Sequence, residues 1–238
     1  MQGIIYWLIS LIPVFLILFI VYKLDVIEKE PKLTLLFLLL SGCFSYLVVK
    51  YITYLFEDFS PFITNYDYDE FSVMLIAFAV IAFIEEFSKY LVLNIFTWKN
   101  KKFNEVYDGI LYGVFISLGF AIVENYFYLI DSDVSTLITR CIFSVPAHAC
   151  FGIIMGYYYG YAKYYKSIDF TWGRYLYNKY CGFFIAMILH GVYDYILSST
   201  FEYKLYAFIA YMVFMIIFIM LKIWELVKYK IKFGMKET

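Results

Sequence analysis

The stretch FSVMLIAFAVIAFIEEFSKYLVLNIFTW, residues 71–98, is an apolar run long enough to span a bilayer, with Glu85, Glu86 and Lys89 at its centre. On insertion scales each such group costs about 2.5–3.5 kcal/mol at hydrocarbon depth, so these side chains are expected to face a bundle interior and to do chemistry or carry ions. At helical spacing Glu85 and Lys89 are i,i+4 neighbours, and Glu86 and Lys89 are i,i+3 neighbours. One lysine can neutralise one carboxylate and leave the second as a base or a ligand.

The rest of the chain is of the same kind: 64% hydrophobic, 24% aromatic and 16% charged, with a mean hydropathy of +0.75. A soluble domain has too little interior to hide that much apolar side chain, which points to an all-α polytopic membrane bundle. Seven segments are long enough to cross, at about 4–22, 33–56, 71–98, 108–130, 140–162, 180–199 and 205–224. With the N-terminus outside, 15 of the 19 basic residues fall on the inner side, including Lys99, Lys163, Lys179 and Lys222. Arg140 and Lys204 lie outside, and the loop 57–70 carries five acids and no base. The positive-inside rule therefore gives N-out, C-in. The first segment has no basic flank or small-residue cleavage site, so it reads as a retained anchor. The short connections predict one membrane domain over 1–238, with a catalytic core at about 70–200 and accessory helices at 4–22, 33–56 and 205–224.

Two segments carry packing signals. The fourth opens on Asp108-Gly109, with Asp108 as a natural N-cap and Gly113 four residues on. The fifth has Gly152, Gly156 and Gly160 on one face, a smooth stripe on which a neighbouring backbone can seat. Pro146 is expected to kink that helix just before His148 and free carbonyls beside a polar pocket. Cys43, Cys141, Cys150 and Cys181 show no metal or redox spacing and read as packing residues.

Further ionisable residues sit inside spans: Glu124 in the fourth, His148 in the fifth, His190 and Asp194 in the sixth. His190 and Asp194 are i,i+4, so the carboxylate can orient the imidazole. Counted inward from the outer end of each helix, the set lies roughly 8–20 Å deep at 1.5 Å per residue. Convergence on one level argues for a single site. Two carboxylates, two imidazoles and a compensating lysine can activate water. In one version His148, His190 and a carboxylate such as Glu124 hold Zn²⁺, with Glu85 as base. In the other a buried glutamate deprotonates water directly, and His190 with its neighbours stabilises the oxyanion. The same residues could instead form the proton relay of an ion-coupled transporter, against which stands the lack of repeated halves.

The ordered set Glu85-Glu86-x-x-Lys89, Phe120-x-x-x-Glu124-Asn125, Pro146-x-His148-x-x-x-Gly152 and His190-x-x-x-Asp194 resembles the motif series of the PrsW family. These polytopic intramembrane proteases are distantly similar to the CAAX-prenyl endopeptidase superfamily. The resemblance covers about 70–200 and implies a peptidase of the bacterial cell membrane, classed as a metalloprotease. The implied substrate is a single-pass membrane protein, such as an anti-sigma factor, cut first near the outer leaflet. Carried over by motif, Glu85 and Glu86 are the catalytic pair and His190 the essential histidine, with Lys89 balancing charge. Relative to the wider superfamily, Lys89 replaces an arginine one position on, Glu124 a histidine, and Asp194 a residue that is often asparagine. Those exchanges change which groups can ligate a metal. No nucleic-acid partner is expected, and the sequence does not set an oligomeric state.

Overall fold

The computed structural model describes residues 2–25, 27–57, 70–168 and 171–229. The acidic loop over 58–69 and the terminal lysines Lys230, Lys232 and Lys236 lie outside them. All regular structure among the described residues is helical. In order come α1 (Gln2–Leu24), α2 (Lys32–Glu57), α3 (Glu70–Leu75), α4 (Phe83–Thr97), α5 (Val106–Leu129), α6 (Val134–Thr139), α7 (Val145–Ile168), α8 (Trp172–Ser198) and α9 (Lys204–Tyr229). Wide π-helical turns at Ile76–Ala82 and Arg140–Ser144 join α3 to α4 and α6 to α7. Six rods are long and apolar enough to cross a bilayer: α1, α2, α5, α6–α7, α8 and α9. The seventh, α3–α4, carries the three central charges. This is a polytopic helical membrane protein.

Helix α5 is the axis of the bundle. It is apolar all round and buried along nearly its whole length, as expected of a helix with no lipid-facing side. Around it pack α7, α2 and α1, while α8 lies against α7 and the α3–α4 rod. Leucine, isoleucine and phenylalanine side chains such as Ile12, Phe44 and Ile217 stay exposed on α1, α2 and α9, which gives the bundle an apolar girdle for lipid.

The glycine stripe of α7 meets a second one on α5. A Cβ at Gly156 would sit 2.1 Å from the carbonyl oxygen of Gly109, and one at Gly113 would sit 2.3 Å from that of Gly152. The two backbones touch, so no side chain fits between them. On the other face of α5, a Cβ at Gly119 would meet the Leu39 carbonyl of α2 at 2.0 Å.

Several boundaries differ from the sequence reading for local reasons. Helix α5 starts at Val106 with Glu105 as N-cap, and Asp108 is its third residue. The Asp108 carboxylate accepts from the backbone N–H groups of Asn104 and Glu105, both at 2.9 Å, closing a reciprocal capping box. The fifth span begins at Val134 because Asp133 caps it, accepting from the Thr136 N–H at 2.9 Å. The sixth begins at Trp172, since Arg174 and Lys179 are long enough to lay their stems along the helix and lift their charges to the boundary. At Pro146 the missing N–H is absorbed upstream: the Val145 N–H reaches back five residues to the Arg140 carbonyl, and the helix widens into a π turn.

Basic residues gather at one end of the bundle. Lys163, Lys166 and Lys179 come from α7 and α8, and all lie within 5.4 Å of the centre of the Trp98 ring. The α1–α2 turn with Glu28 lies at this end too, bonded to Asn104. The opposite end holds the α5–α6 and α8–α9 turns, where the start of α1 touches Ile130.

Candidate active site

The π turn at Ile76–Ala82 sets where the α4 charges point. Its Phe78 ring lies against Gly191 of α8, where a Cβ would be only 2.6 Å from ring carbons. That contact fixes the turn against α8 one residue from His190. Downstream of the turn, α4 delivers Glu85, Glu86 and Lys89, all buried, to the same place.

Lys89 ties three helices together. Its Nζ donates to Glu86 Oε1 at 2.7 Å, lies 3.3 Å from His148 Nδ1, and stands 4.1 Å from the centre of the Phe120 ring. An ammonium has only donors, so His148 Nδ1 must accept. The proton of His148 is then on Nε2, which meets Glu124 Oε2 at 2.8 Å. Glu124 also pairs with the Arg140 guanidinium, whose Nε donates to Asn125 Oδ1 at 2.7 Å. The sequence places Arg140 on the outer side at the edge of a span. The π turn that begins with Arg140 instead rolls it inward, so that its side chain is only 12% exposed. The available signal was Glu124-Asn125, an acid and an amide that together need a cation.

His190 is held differently. Its Nδ1 is 2.8 Å from Glu86 Oε1, so Nδ1–H donates there and Nε2 is turned the other way. Nε2 is bracketed by Asp194 Oδ2 at 3.3 Å and Glu85 Oε2 at 3.9 Å. Neither of those buried carboxylate oxygens has a hydrogen-bond partner among the described residues. Phe151 stacks on the imidazole, with ring centres 4.8 Å apart and 17° between planes, which fixes the ring's tilt.

A cavity of about 370 Å³ opens onto this face of the site, walled by Glu85, Glu124, Arg140, His148, His190 and Asp194. Glu86 and Lys89 stay behind the wall. The rim is formed by Ser135, Thr136, Thr139 and Ser198, at the bundle end opposite the lysine-rich one. The seven residues singled out from the sequence thus belong to one network on four rods, to which the structure adds Arg140, bonded to Glu124 and to the Asn125 beside it.

The donor set fits a metal at one histidine better than at the other. His148, His190 and Glu124 do not form a ready trio: both nitrogens of His148 are engaged, and its ring centre is 5.7 Å from that of His190. His190 offers the better fit. A carboxylate holds one ring nitrogen, the other makes no hydrogen bond, and Asp194 and Glu85 present two acidic oxygens beside it that likewise make none among the described residues. These groups suit a divalent metal with mixed nitrogen and oxygen ligands.

Comparison with known proteins gives the family. A model of the PrsW family intramembrane metalloproteases matches residues 30–221. The chain is 42% identical over 155 residues to Protease PrsW of Shouchella clausii, covering 64% of this chain and 66% of that protein. It is 33% identical over 193 residues to Protease PrsW of Oceanobacillus iheyensis, covering 81% and 83%. With Protease PrsW of Clostridioides difficile it shares 32% identity over 211 residues, covering 87% and 85%. No solved structure matches. The chain belongs to the PrsW family and is a multi-pass intramembrane peptidase of the bacterial cell membrane.

Proposed function

We propose that Glu85 is the general base of peptide hydrolysis and that Glu86 and Lys89 position the groups around it. The observation that carries this reading is the contrast between the two neighbouring glutamates. Glu86 is hydrogen-bonded to Lys89 and His190, whereas Glu85 faces the cavity with an oxygen that makes no hydrogen bond among the described residues and only long ion pairs, 3.9 Å from both Lys89 Nζ and His190 Nε2. Glu85 Oε2 takes a proton from water, the water oxygen bonds to the scissile carbonyl carbon, and the carbonyl becomes an oxyanion. The Arg140 guanidinium, on the cavity wall, supplies positive charge for that oxyanion, and His148 holds the Glu124 carboxylate that orients Arg140. Glu85 then passes its proton to the leaving amine as the C–N bond breaks.

His190 Nε2 and Asp194 would hold the metal, which we assign as Zn²⁺. When bound it would polarise the carbonyl and acidify water. Glu86 orients His190 for that task, as a carboxylate behind a ligating imidazole does.

The substrate we propose is a single-pass membrane protein, such as the membrane-anchored anti-sigma factor implied by the sequence resemblance. The cavity rim lies at the end away from the lysines, so water and a locally unwound substrate would enter from the outer side. Purified protein in detergent, assayed on a model single-pass substrate, tests the scheme. Wild type should cut and carry close to one equivalent of zinc, with zinc lost in His190→Ala. Glu85→Gln should be inert. Full turnover by Glu85→Gln would overturn the assignment of the base, and full turnover by metal-free protein would overturn the zinc.

A further inference from the structure

At the lysine-rich end, under the α1–α2 turn, a second set of acids is buried together. Asp25, Glu105 and Asp108 each bring a carboxylate oxygen to within 4.8 Å of the others, and all three are 1% exposed. Glu30, 4% exposed, lies beside them, its backbone N–H 3.4 Å from Asp25 Oδ2. The capping box of α5 accounts for Glu105 and Asp108. It does not account for Asp25 or Glu30, which lie outside any helix yet are buried at the same place. Asp25 Oδ1 and Glu30 Oε2 are buried with no hydrogen-bond partner among the described residues. Lys29 Nζ donates to the backbone carbonyls of Tyr22, Lys23 and Asp25 and makes no hydrogen bond to the Asp25 carboxylate among the described residues. Among the described residues no ion pair joins Asp25, Glu30 or Asp108 to a basic side chain.

Carboxylates buried this close repel one another and have lost their water, a combination that a bound cation relieves. We infer that Asp25, Glu105 and Asp108, with Glu30 beside them, hold a divalent cation with all-oxygen ligation, Mg²⁺ or Ca²⁺. The donors are hard carboxylate oxygens without histidine or cysteine, which selects these ions over zinc. Their spread suits a cation at about 2.1–2.5 Å from each oxygen. The site is separate from the catalytic cavity. Asp108 and Glu124 are sixteen residues apart on α5, about 24 Å at helical rise. A cation here would fasten the α1–α2 turn to the start of the central helix, clamping the accessory helices to the catalytic ones.

The test uses the full chain in detergent, stripped with chelator and then titrated with Mg²⁺ or Ca²⁺ alone while thermal unfolding is followed. Wild type should gain about 5 °C at saturating ion. Asp25→Asn with Glu30→Gln should remain folded and lose that gain. His190→Ala should keep it, which separates this site from the proposed zinc. No gain in wild type with either ion, or an equal gain in the double variant, would overturn the inference. Should the double variant not fold, equilibrium dialysis decides: His190→Ala should bind one Mg²⁺ or Ca²⁺ per chain, at least tenfold more weakly once Asp25→Asn is added. Binding of neither ion, or unchanged affinity, would overturn it.

Discussion

At the scale of single residues, adjacent glutamates are given different work by which way a helix turns them. Glu86 is fully enclosed between Lys89 and His190, and Glu85 opens to the cavity. Glu85→Gln should therefore lower kcat by about 10²–10⁴-fold with little change in KM, as loss of a general base does. Glu86→Gln should cost roughly 10–100-fold through misorientation of His190, and it should also weaken zinc retention, which the base variant should not. Arg140 makes a sharper case, since the sequence put it outside the site. Arg140→Met should reduce kcat by about 10²-fold if it stabilises the oxyanion, and Arg140→Lys should recover part of that loss. Steady-state kinetics on a fluorogenic peptide reads all four. An Arg140→Met enzyme with unchanged kcat would remove the guanidinium from the mechanism.

At the scale of elements, the two π turns do the positioning. Each lies immediately before a piece of the site, one ahead of Glu85 and the other ahead of His148. A π turn absorbs one extra residue, so a further inserted residue that it cannot absorb should rotate the downstream side chains by about 100°. Insertion of one alanine after Val80 should swing Glu85 and Glu86 off the cavity, abolishing cleavage while leaving membrane insertion and helicity near wild type by circular dichroism. Retained activity would show that the register is set elsewhere. The α5–α7 contact is equally specific. With the Gly109 carbonyl 2.1 Å from where a Cβ would sit, Gly156→Ala must push two backbones apart. It should destabilise the bundle by about 1–3 kcal/mol, the usual cost of overpacking. Gly173→Ala, with nothing within 4 Å of the new methyl, should be neutral in the same thermal-shift measurement.

At the scale of the whole molecule, charge and cavity define opposite ends. The lysines ring Trp98 at one end and the site opens at the other. A reporter fused after Lys236 should be active in the cytoplasm, and one in the loop 57–70 should report the outside. The substrate should then be cut at its outer juxtamembrane end, within a few residues of its span, because water reaches the site from that side and the bond must leave its helix to be attacked. Mass spectrometry of the released fragment checks this, and a cut on the cytoplasmic side would contradict the placement of the cavity mouth.

The sequence by itself determined the class of molecule, the apolar spans and seven of the polar residues that meet in the candidate site. Hydrophobic runs are local, and the cost of a charge in lipid is large enough that Glu85, Glu86, Lys89, Glu124, His148, His190 and Asp194 stand out one by one. Their spacing also showed that one carboxylate could be neutralised by Lys89. Only the tertiary structure decided which one, because i,i+3 and i,i+4 partners are equally near until His190 arrives from α8 to share Glu86. The inward turn of Arg140 depends on a π turn, and a change of helical pitch leaves no periodic mark in so short a stretch. The engagement of both His148 nitrogens was equally hidden, since it needs Lys89 and Glu124 from two other helices. The meeting of Asp25 and Glu30 with the capping box of α5 joins residues some eighty positions apart, and no local pattern records a contact of that range.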